Sequence, residues 1–264
     1  MEPAAIASRG VSVWPARLTR GGLWTLGVGL ALMGVSGPLN RYALVDFRLA
    51  LLAFVAGILV SAIGTLLTIV GVVGARWRQA HIPGVFAGAG IVVGLIVVGS
   101  MVLWIGRAMS APPIHEISTD LADPPAFVAV KPLRSQAGAV NPPEYAGQVK
   151  GPGGTIDVRR LQREHYPDIQ PLQLGVRPDE ALGHARRVAE ELGWKIVAYV
   201  PAQGRLEATD STAFFGFKDD VVVRVRPSGA GTLLDVRSKS RVGLGDAGTN
   251  AKRVRAFLRL MGKR

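Results

Sequence analysis

Cysteine is absent from the 264 residues, which excludes disulfides, thiolate catalysis and cysteine metal sites while leaving the redox compartment open. Histidine is scarce: His81, His115, His165 and His184 are scattered and never fall at a paired ligand spacing, so no metal is expected. No G-x-S-x-G elbow, H-E-x-x-H pair or P-loop occurs, so the usual hydrolase, metalloprotease and nucleotidase signatures are missing and no cofactor is expected. Charge is missing from three long apolar runs, Gly21 to Asn40, Leu49 to Ala75 and Ile82 to Gly106. Proton relays and ion pathways nearly always place an ionisable group inside a span, so these runs read as anchors rather than as a transport path.

What is present begins with those runs. Roughly 20 apolar residues cross a bilayer's hydrocarbon core, so each is long enough to span it, and the lipid bilayer is the first expected partner. Five arginines flank one side (Arg9, Arg17, Arg20, Arg76, Arg78) and two the other (Arg41 and Arg48, partly offset by Asp46). The positive-inside rule then predicts a cytoplasmic N-terminus and delivers the C-terminal part to the opposite side, the periplasm in a bacterium with two membranes. A cleaved signal peptide is a competing reading of the first run and leaves the C-terminal part outside as well. Glycine pairs four apart (Gly57 with Ser61, Gly84 with Gly88, Gly90 with Gly94) suggest where helices approach closely. The organisation expected is a cytoplasmic tail at 1–20, a three-helix membrane region at 21–106 and an extracytoplasmic domain at 107–264.

Charge is concentrated in that last part. Of 31 Lys and Arg, 24 follow Gly106, as do 17 of 19 Asp and Glu, leaving 24 − 17 = +7 there. Basic and acidic residues alternate without a clustered run, which argues against nucleic acid and fits an anionic membrane surface.

Seven of the 17 prolines lie between Pro112 and Pro143, so Ala111 to Gly154 should be extended or looped. Within it, Ile114 to Thr119 suits an edge strand, and Phe127 to Val130 can pack on a domain. Beyond it, Pro178 with Asp179 and Glu180 opens a helix that Gly193 ends. Trp194 to Val200, Arg205 to Thr209, Asp219 to Arg226 and Thr232 to Ser240 read as strands, and Gly248 to Met261 as a final helix. The fold class predicted is three transmembrane helices followed by an α+β domain, with an antiparallel four- or five-stranded sheet and two helices on one face. Alternation sends Val221, Val223, Val225, Leu234 and Val236 inward. Arg224, Arg226, Asp235, Arg237, Lys239 and Arg241, with Arg205 and Glu207 beside them, then share an outer face, read either as solvated or as a docking surface.

Gly243 to Gly248 spells G-x-G-x-x-G, but the helix after it is the last element, so no βαβ nucleotide unit follows. It reads as a glycine-rich helix start whose free backbone N–H groups either hold an anion or are capped by Asp246 or Thr249. Asp219 and Asp220 are adjacent on a strand and should face opposite ways, which rules out a cooperating acid/base dyad. Ser211 to Phe217 forms an aromatic loop, read either as the end of a core or as a pocket wall.

The stretch Arg205 to Val225, then Asp235-Val-Arg-Ser-Lys-Ser-Arg-Val-Gly, Asp246-Ala-Gly-Thr-Asn-Ala-Lys-Arg-Val-Arg and the early Ile114-His-Glu-Ile-Ser-Thr-Asp with Asp123-Pro-Pro-Ala-Phe, resembles the family called domain of unknown function 1499. The resemblance runs over nearly all of 111–262 and makes the Ile114 segment part of the domain rather than a linker. It implies a bacterial envelope protein, here in the inner membrane, with no particular activity attached. Positions matching the family pattern are Asp120, Phe217, Asp219, Asp220, Arg237, Ser238, Ser240, Arg241, Asp246, Gly248 and Asn250. Two functions follow. In the first, a non-enzymatic module binds an anionic lipid, a glycan or an envelope protein through Arg237, Ser238, Ser240 and Arg241, with Asp246 and Asn250 alongside. In the second, a cofactor-independent enzyme or small-ligand carrier uses Asp210, Asp219 or Asp246 beside Phe214 and Phe217.

Overall fold

The structure is a computed structural model that describes residues 13–82, 84–151 and 154–263. Arg9 and most of the expected cytoplasmic tail lie outside the described residues. The chain divides into two compact units, Met1–Ile105 and Gly106–Arg264.

The first two apolar runs lie within α1 Trp14–Arg41 and α2 Phe47–Arg78, and the third, from Gly84 on, within α3 Gly84–Ser110. All three are long and apolar enough to cross a membrane. α1 starts seven residues before its apolar run because Pro15 has a backbone preset for a first turn, which carries Arg17 and Arg20 into the helix. Only Tyr42 to Asp46 separates α1 from α2, and the Asp46 carboxylate accepts from the Arg48 N–H at 2.9 Å to cap α2.

A linker that short folds α1 and α2 into an antiparallel hairpin whose seam is built from small residues. Thr19, Gly22, Leu26, Gly29 and Met33 of α1 are buried, as are Gly57, Ser61, Gly64, Thr68 and Gly71 of α2. Both sets step by three and four, the repeat that keeps one seam in register along two helices. A methyl group on Gly64 would strike the Gly22 carbonyl at 2.7 Å and the Leu26 Cα at 2.8 Å, so the backbones touch there. Buried hydroxyls bond back along their own helices, Thr19 to the Pro15 carbonyl at 2.9 Å and Thr68 to that of Gly64 at 2.8 Å. Of the expected glycine contacts, Gly57 lies on this seam, Gly90 meets Leu23, and Gly94 meets Thr65. Gly84 and Gly88 face open space instead, because four-residue spacing identifies a flat face without saying whether a partner lies on it.

The second unit is built around one antiparallel sheet. Its strands are β1 Glu116–Ser118, β4 Leu172–Leu174, β5 Lys195–Val200, β6 Arg205–Ser211, β7 Lys218–Ser228 and β8 Gly231–Ser240; β2 Gln148–Gly151 and β3 Gly154–Asp157 form a separate hairpin. Strand order is β1-β8-β7-β6-β5, and β4 also pairs with β8. β1 takes the Arg237 to Lys239 end of that edge and β4 the Thr232 to Leu234 end, so six strands occupy five positions. The expected four strands are all present, and the expected edge strand is β1.

Among the described residues, four α-helices accompany the sheet: α4 Val130–Gln136, α5 Val158–His165, α6 Pro178–Glu191 and α7 Thr249–Met261. α6 and α7 cover the face carrying Leu206, Ala208, Val221, Val223, Val225, Leu234 and Val236, and they close the main core with Ala185, Val188, Val254 and Phe257. Trp194 stacks on Phe257 with centroids 5.2 Å apart.

The opposite face corrects the expectation of a solvated surface. Arg224, Arg226, Asp235, Arg237, Lys239 and Arg241 do share it with Arg205 and Glu207, yet Asp235 and Lys239 are fully buried and Arg237 is 1% exposed. The proline-rich segment with α4 crosses over them and adds a small apolar patch of Phe127, Val130 and Val222. Alternation tells which residues share a face; it carries no information about a non-periodic segment that lies on top.

Candidate functional site

The residues singled out in the sequence gather in two polar layers, one on each side of the sheet near the end where β8 finishes. On the covered face, β8 contributes Arg237 and Lys239, with Arg241 just beyond it, each two residues from the next and therefore on one side. Glu116 of β1 lies opposite and receives both Arg237 and Lys239, the latter at 3.0 Å. Asp220 of β7 receives Arg134 at 2.6 Å and Arg241 at 2.8 Å, and it accepts from the Thr209 hydroxyl at 2.7 Å. Four buried cations thus share two carboxylates, and backbone carbonyls supply the remaining acceptors. Arg237 donates to Pro125 at 3.0 Å and Pro143 at 2.8 Å, Lys239 to Glu144 at 2.7 Å, and Arg134 to Asn141 at 2.8 Å. The Arg237 guanidinium also lies 4.6 Å from the Phe127 ring centre. Burial lowers the pKa values of Arg134, Arg237 and Lys239, and their carboxylate partners oppose that shift. The prolines that made the segment look like a linker present the carbonyls that seal this layer.

A third carboxylate fastens the cover. Glu207 of β6 points into the start of α4, where its oxygens accept from the Val128, Ala129 and Val130 N–H groups at 3.0–3.1 Å. These are the donors a helix start leaves unpaired, so Glu207 fills an anion site from within the chain. Further along the same face Asp235 receives Arg224 at 3.0 Å and Arg226 at 2.9 Å. Both arginines also reach Asp120 at 3.2 Å. The Asp120 pKa is lowered: burial acts to raise it but is outweighed by N–H groups of Asp123 and Ala122 and by the two arginines.

On the helix side the centre is Arg253 of α7. It ion-pairs with Asp210 at 2.7 Å and Asp219 at 2.6 Å and donates to the Asn250 side-chain oxygen at 2.7 Å. The Ser238 hydroxyl donates to the same oxygen at 2.6 Å, and the Asn250 amide donates to the Ser240 hydroxyl at 2.9 Å and the His115 carbonyl at 3.1 Å. Asp246 caps α7 by accepting from the N–H groups of Gly248 at 2.8 Å and Asn250 at 2.9 Å. Burial raises its pKa against the pull of those two donors. Gly248 has a φ of +79°, a left-handed turn that glycine adopts freely.

Each site residue therefore has a place. Arg237 and Arg241 lie in the covered layer; Ser238, Ser240, Asp246 and Asn250 lie in the helix-side layer with Asp210 and Asp219. Phe217 stacks on Phe215 at 5.2 Å, and Phe214, 42% exposed, packs edge-on to Phe215 at 5.0 Å. Glu207 is legible on the outer face, whereas Arg253, Glu116 and Arg134, which also tie the layers together, are not among the residues that the sequence marks as a site. Arg253 carried a signal, a basic residue beside the apolar stripe of α7. Glu116 and Arg134 carried none, because their partners are more than 80 residues away in sequence.

Three apolar helices followed by a sheet whose two faces both hold buried ion networks define a membrane-anchored α+β protein. The profile of the family described as "Protein of unknown function (DUF1499)" matches residues 116–261, from β1 to the last residue of α7, and the chain belongs to that family. No curated protein matches the chain.

Proposed function

We propose that the protein is a non-enzymatic module of the bacterial envelope. Three helices anchor it in the inner membrane with the N-terminus in the cytoplasm, and the family domain on the periplasmic side binds an anionic lipid, a glycan or an envelope protein. The observation that carries this reading is the double clamp of Arg253 on Asp210 and Asp219. Those carboxylates, and Asp246 on the α7 start, are the acids an enzyme or carrier of this chain would use, and each already serves as an acceptor inside the fold. A general base needs its lone pair directed at a substrate proton. With Arg237 and Arg241 under the cover, binding falls to the outer surface of the domain rather than to that edge.

The test uses single cysteines, which the chain's lack of native cysteine makes unambiguous. In spheroplasts, an impermeant maleimide should label Ala230→Cys in the β7–β8 turn and spare Ala80→Cys between α2 and α3. The reverse pattern would overturn the sidedness. Mass spectrometry of the detergent-purified protein should then find a retained anionic lipid, glycan or envelope protein. Turnover of a small molecule that is abolished by Asp210→Asn or Asp219→Asn would instead support the enzyme reading.

A further inference from the structure

The domain's exposed apolar side chains are not spread evenly. Among the described residues after Ser110, the large exposed hydrophobics are Val128, Leu133, Val140, Phe214 and Leu244. Leu244 is 64% exposed, Val140 52% and Phe214 42%. These three come from three loops far apart in sequence, and strand register brings the loops to one end of the sheet. The 212–217 loop joins β6 to β7 where Ser211 pairs with Lys218. The Leu244 loop follows β8, whose end lies beside the start of β7 through the Arg241 N–H to Lys218 carbonyl bond at 3.0 Å. Val140 precedes Asn141, whose N–H donates to the Arg241 carbonyl at 3.1 Å and whose side chain donates to that of Gly243 at 2.9 Å.

That same end receives the chain from the membrane. Ile114 is 1% exposed, and its carbonyl accepts from the Asp246 N–H at 3.2 Å; His115 Nδ1 lies 3.3 Å from the Leu244 carbonyl. α3 ends at Ser110, and only Ala111, Pro112 and Pro113 precede Ile114. Chain length alone then sets a limit. The helical rise from Gly106 to Ser110 is about 6 Å, and three extended residues add about 10 Å. The headgroup layer on each side of a bilayer is about 5–8 Å thick. Ile114, beside the Leu244 loop, is therefore at most about 16 Å of chain from Gly106, where the third apolar run ends.

We infer that this end of the domain, through the tips Val140, Phe214 and Leu244, seats in the interface of the bilayer that anchors the chain. Exposed Lys195, Lys218 and Lys252 at the same end meet anionic headgroups. Lys195 opens β5, Lys218 opens β7 and Lys252 lies in the first turn of α7. Of the exposed carboxylates close by, Glu144 pairs with Lys131 at 3.5 Å and Glu190 with Arg186 at 2.9 Å, and Glu191 ends α6; Asp210, Asp219 and Asp246 are engaged internally. The opposite end of the sheet, with the 201–204 and 228–231 turns, has no large hydrophobic exposed among the described residues. Glycines flank Leu244 on both sides, so no side chain next to it in sequence covers it. The inference deepens the anionic-lipid form of the proposed function but rests only on membrane anchoring, not on which side the domain occupies.

The full-length protein, carrying one environment-sensitive fluorophore at Leu244→Cys, Phe214→Cys or Ala230→Cys, is reconstituted into vesicles of phosphatidylethanolamine and phosphatidylglycerol that contain a lipid-borne nitroxide quencher. Quenching several-fold stronger at 244 and 214 than at 230, with blue-shifted emission, is the expected result. Equal quenching at the three positions would overturn the inference, and it would leave the spheroplast test of sidedness untouched. Leu244→Asp, a change at an exposed position that leaves the core intact, should reduce quenching of a label at 214. Replacing phosphatidylglycerol with phosphatidylcholine should weaken quenching at both tips; unchanged quenching would overturn the headgroup role of the three lysines.

Discussion

Asp219 and Asp220 are consecutive residues of β7 whose carboxylates lie on opposite sides of the sheet. Asp219 receives Arg253 of α7 at 2.6 Å, and Asp220 receives Arg134 of α4 at 2.6 Å. One dipeptide thus fastens the helix layer and the cover to the same strand. The strand's two-residue period enforces this arrangement and prevents the pair from acting as an acid/base dyad. Both ion pairs are desolvated, so their value lies less in net stability than in the penalty for any arrangement that leaves one partner alone.

Arg253→Ala leaves Asp210 and Asp219 without their cation and removes a donor from Asn250. Loss of one partner of a buried pair costs about 3–5 kcal/mol. Thermal unfolding of the detergent-solubilised protein should show a large loss for the domain transition, whereas Arg259→Ala, at an exposed position of the same helix, should stay within about 0.5 kcal/mol of wild type.

Glu207→Gln removes the charge that holds three N–H groups at the α4 start. Hydrogen bonds to a charged group contribute about 1.5–3 kcal/mol, so the cover should open locally before the sheet unfolds. Limited trypsin digestion reports this directly: cleavage after Arg134, 1% exposed in the native fold, should appear in the variant under conditions that spare the wild type.

Gly64→Ala places a methyl group against the backbone of Gly22 and Leu26 in α1, where no side chain can yield. Overpacking of this kind costs about 1–3 kcal/mol. Gly88→Ala adds the same methyl group to open space and should be neutral. Resistance of the α1–α2 hairpin to denaturing detergent should separate the two.

Burial lowers the pKa of His115 below 6.5, with Lys239 acting in the same direction; the Leu244 carbonyl, Glu116 and Asp246 oppose it. Between that lowered value and 6.5 the unfolded chain holds more protons than the folded one, so stability rises with pH there and falls on acidification. Asp246 behaves oppositely: its pKa is raised above 3.8, and between 3.8 and the raised value the folded state binds the extra proton, so this group adds stability as pH falls. Unfolding curves across pH should show His115→Gln flattening the decline just below 6.5, while Asp246→Asn removes the gain that this group adds as pH falls towards 3.8.

Arg237→Glu would set a second carboxylate beside Glu116 and face the Pro125 and Pro143 carbonyls with an acceptor, in a layer closed to water. The domain should lose its cooperative transition, and any ligand bound to it should be lost with the fold. A binding assay on that variant would report folding, which is why the exposed Phe214 and Leu244 offer the cleaner test.

Much of the architecture was legible beforehand because it rests on local periodicity. Charge-free runs marked the helices, Pro178 and Gly193 bracketed α6, and alternation assigned Val221 and Arg237 to opposite faces. The helix-side layer was partly legible as well, since Asp246 stands where a cap for α7 is needed. The cover was not. Pro125 and Pro143 contribute backbone carbonyls, which every residue possesses, so no side-chain pattern announces them. Arg134 and Asp220 are 86 positions apart, and nothing in either neighbourhood points to the other.

The sequence by itself determined the class of this protein: three spans, one α+β domain, and which side chains share each face of its sheet. Those properties depend on the repeat of helix and strand and on the energy of placing charge in hydrocarbon, both local quantities. Only the tertiary structure decided that the basic face is sealed, that Arg253 holds the acidic residues, and that the loops carrying Val140, Phe214 and Leu244 gather at the end of the sheet beside Ile114. Those outcomes follow from strand register and from a non-periodic segment folding back over the sheet, and contacts between distant residues leave no local trace.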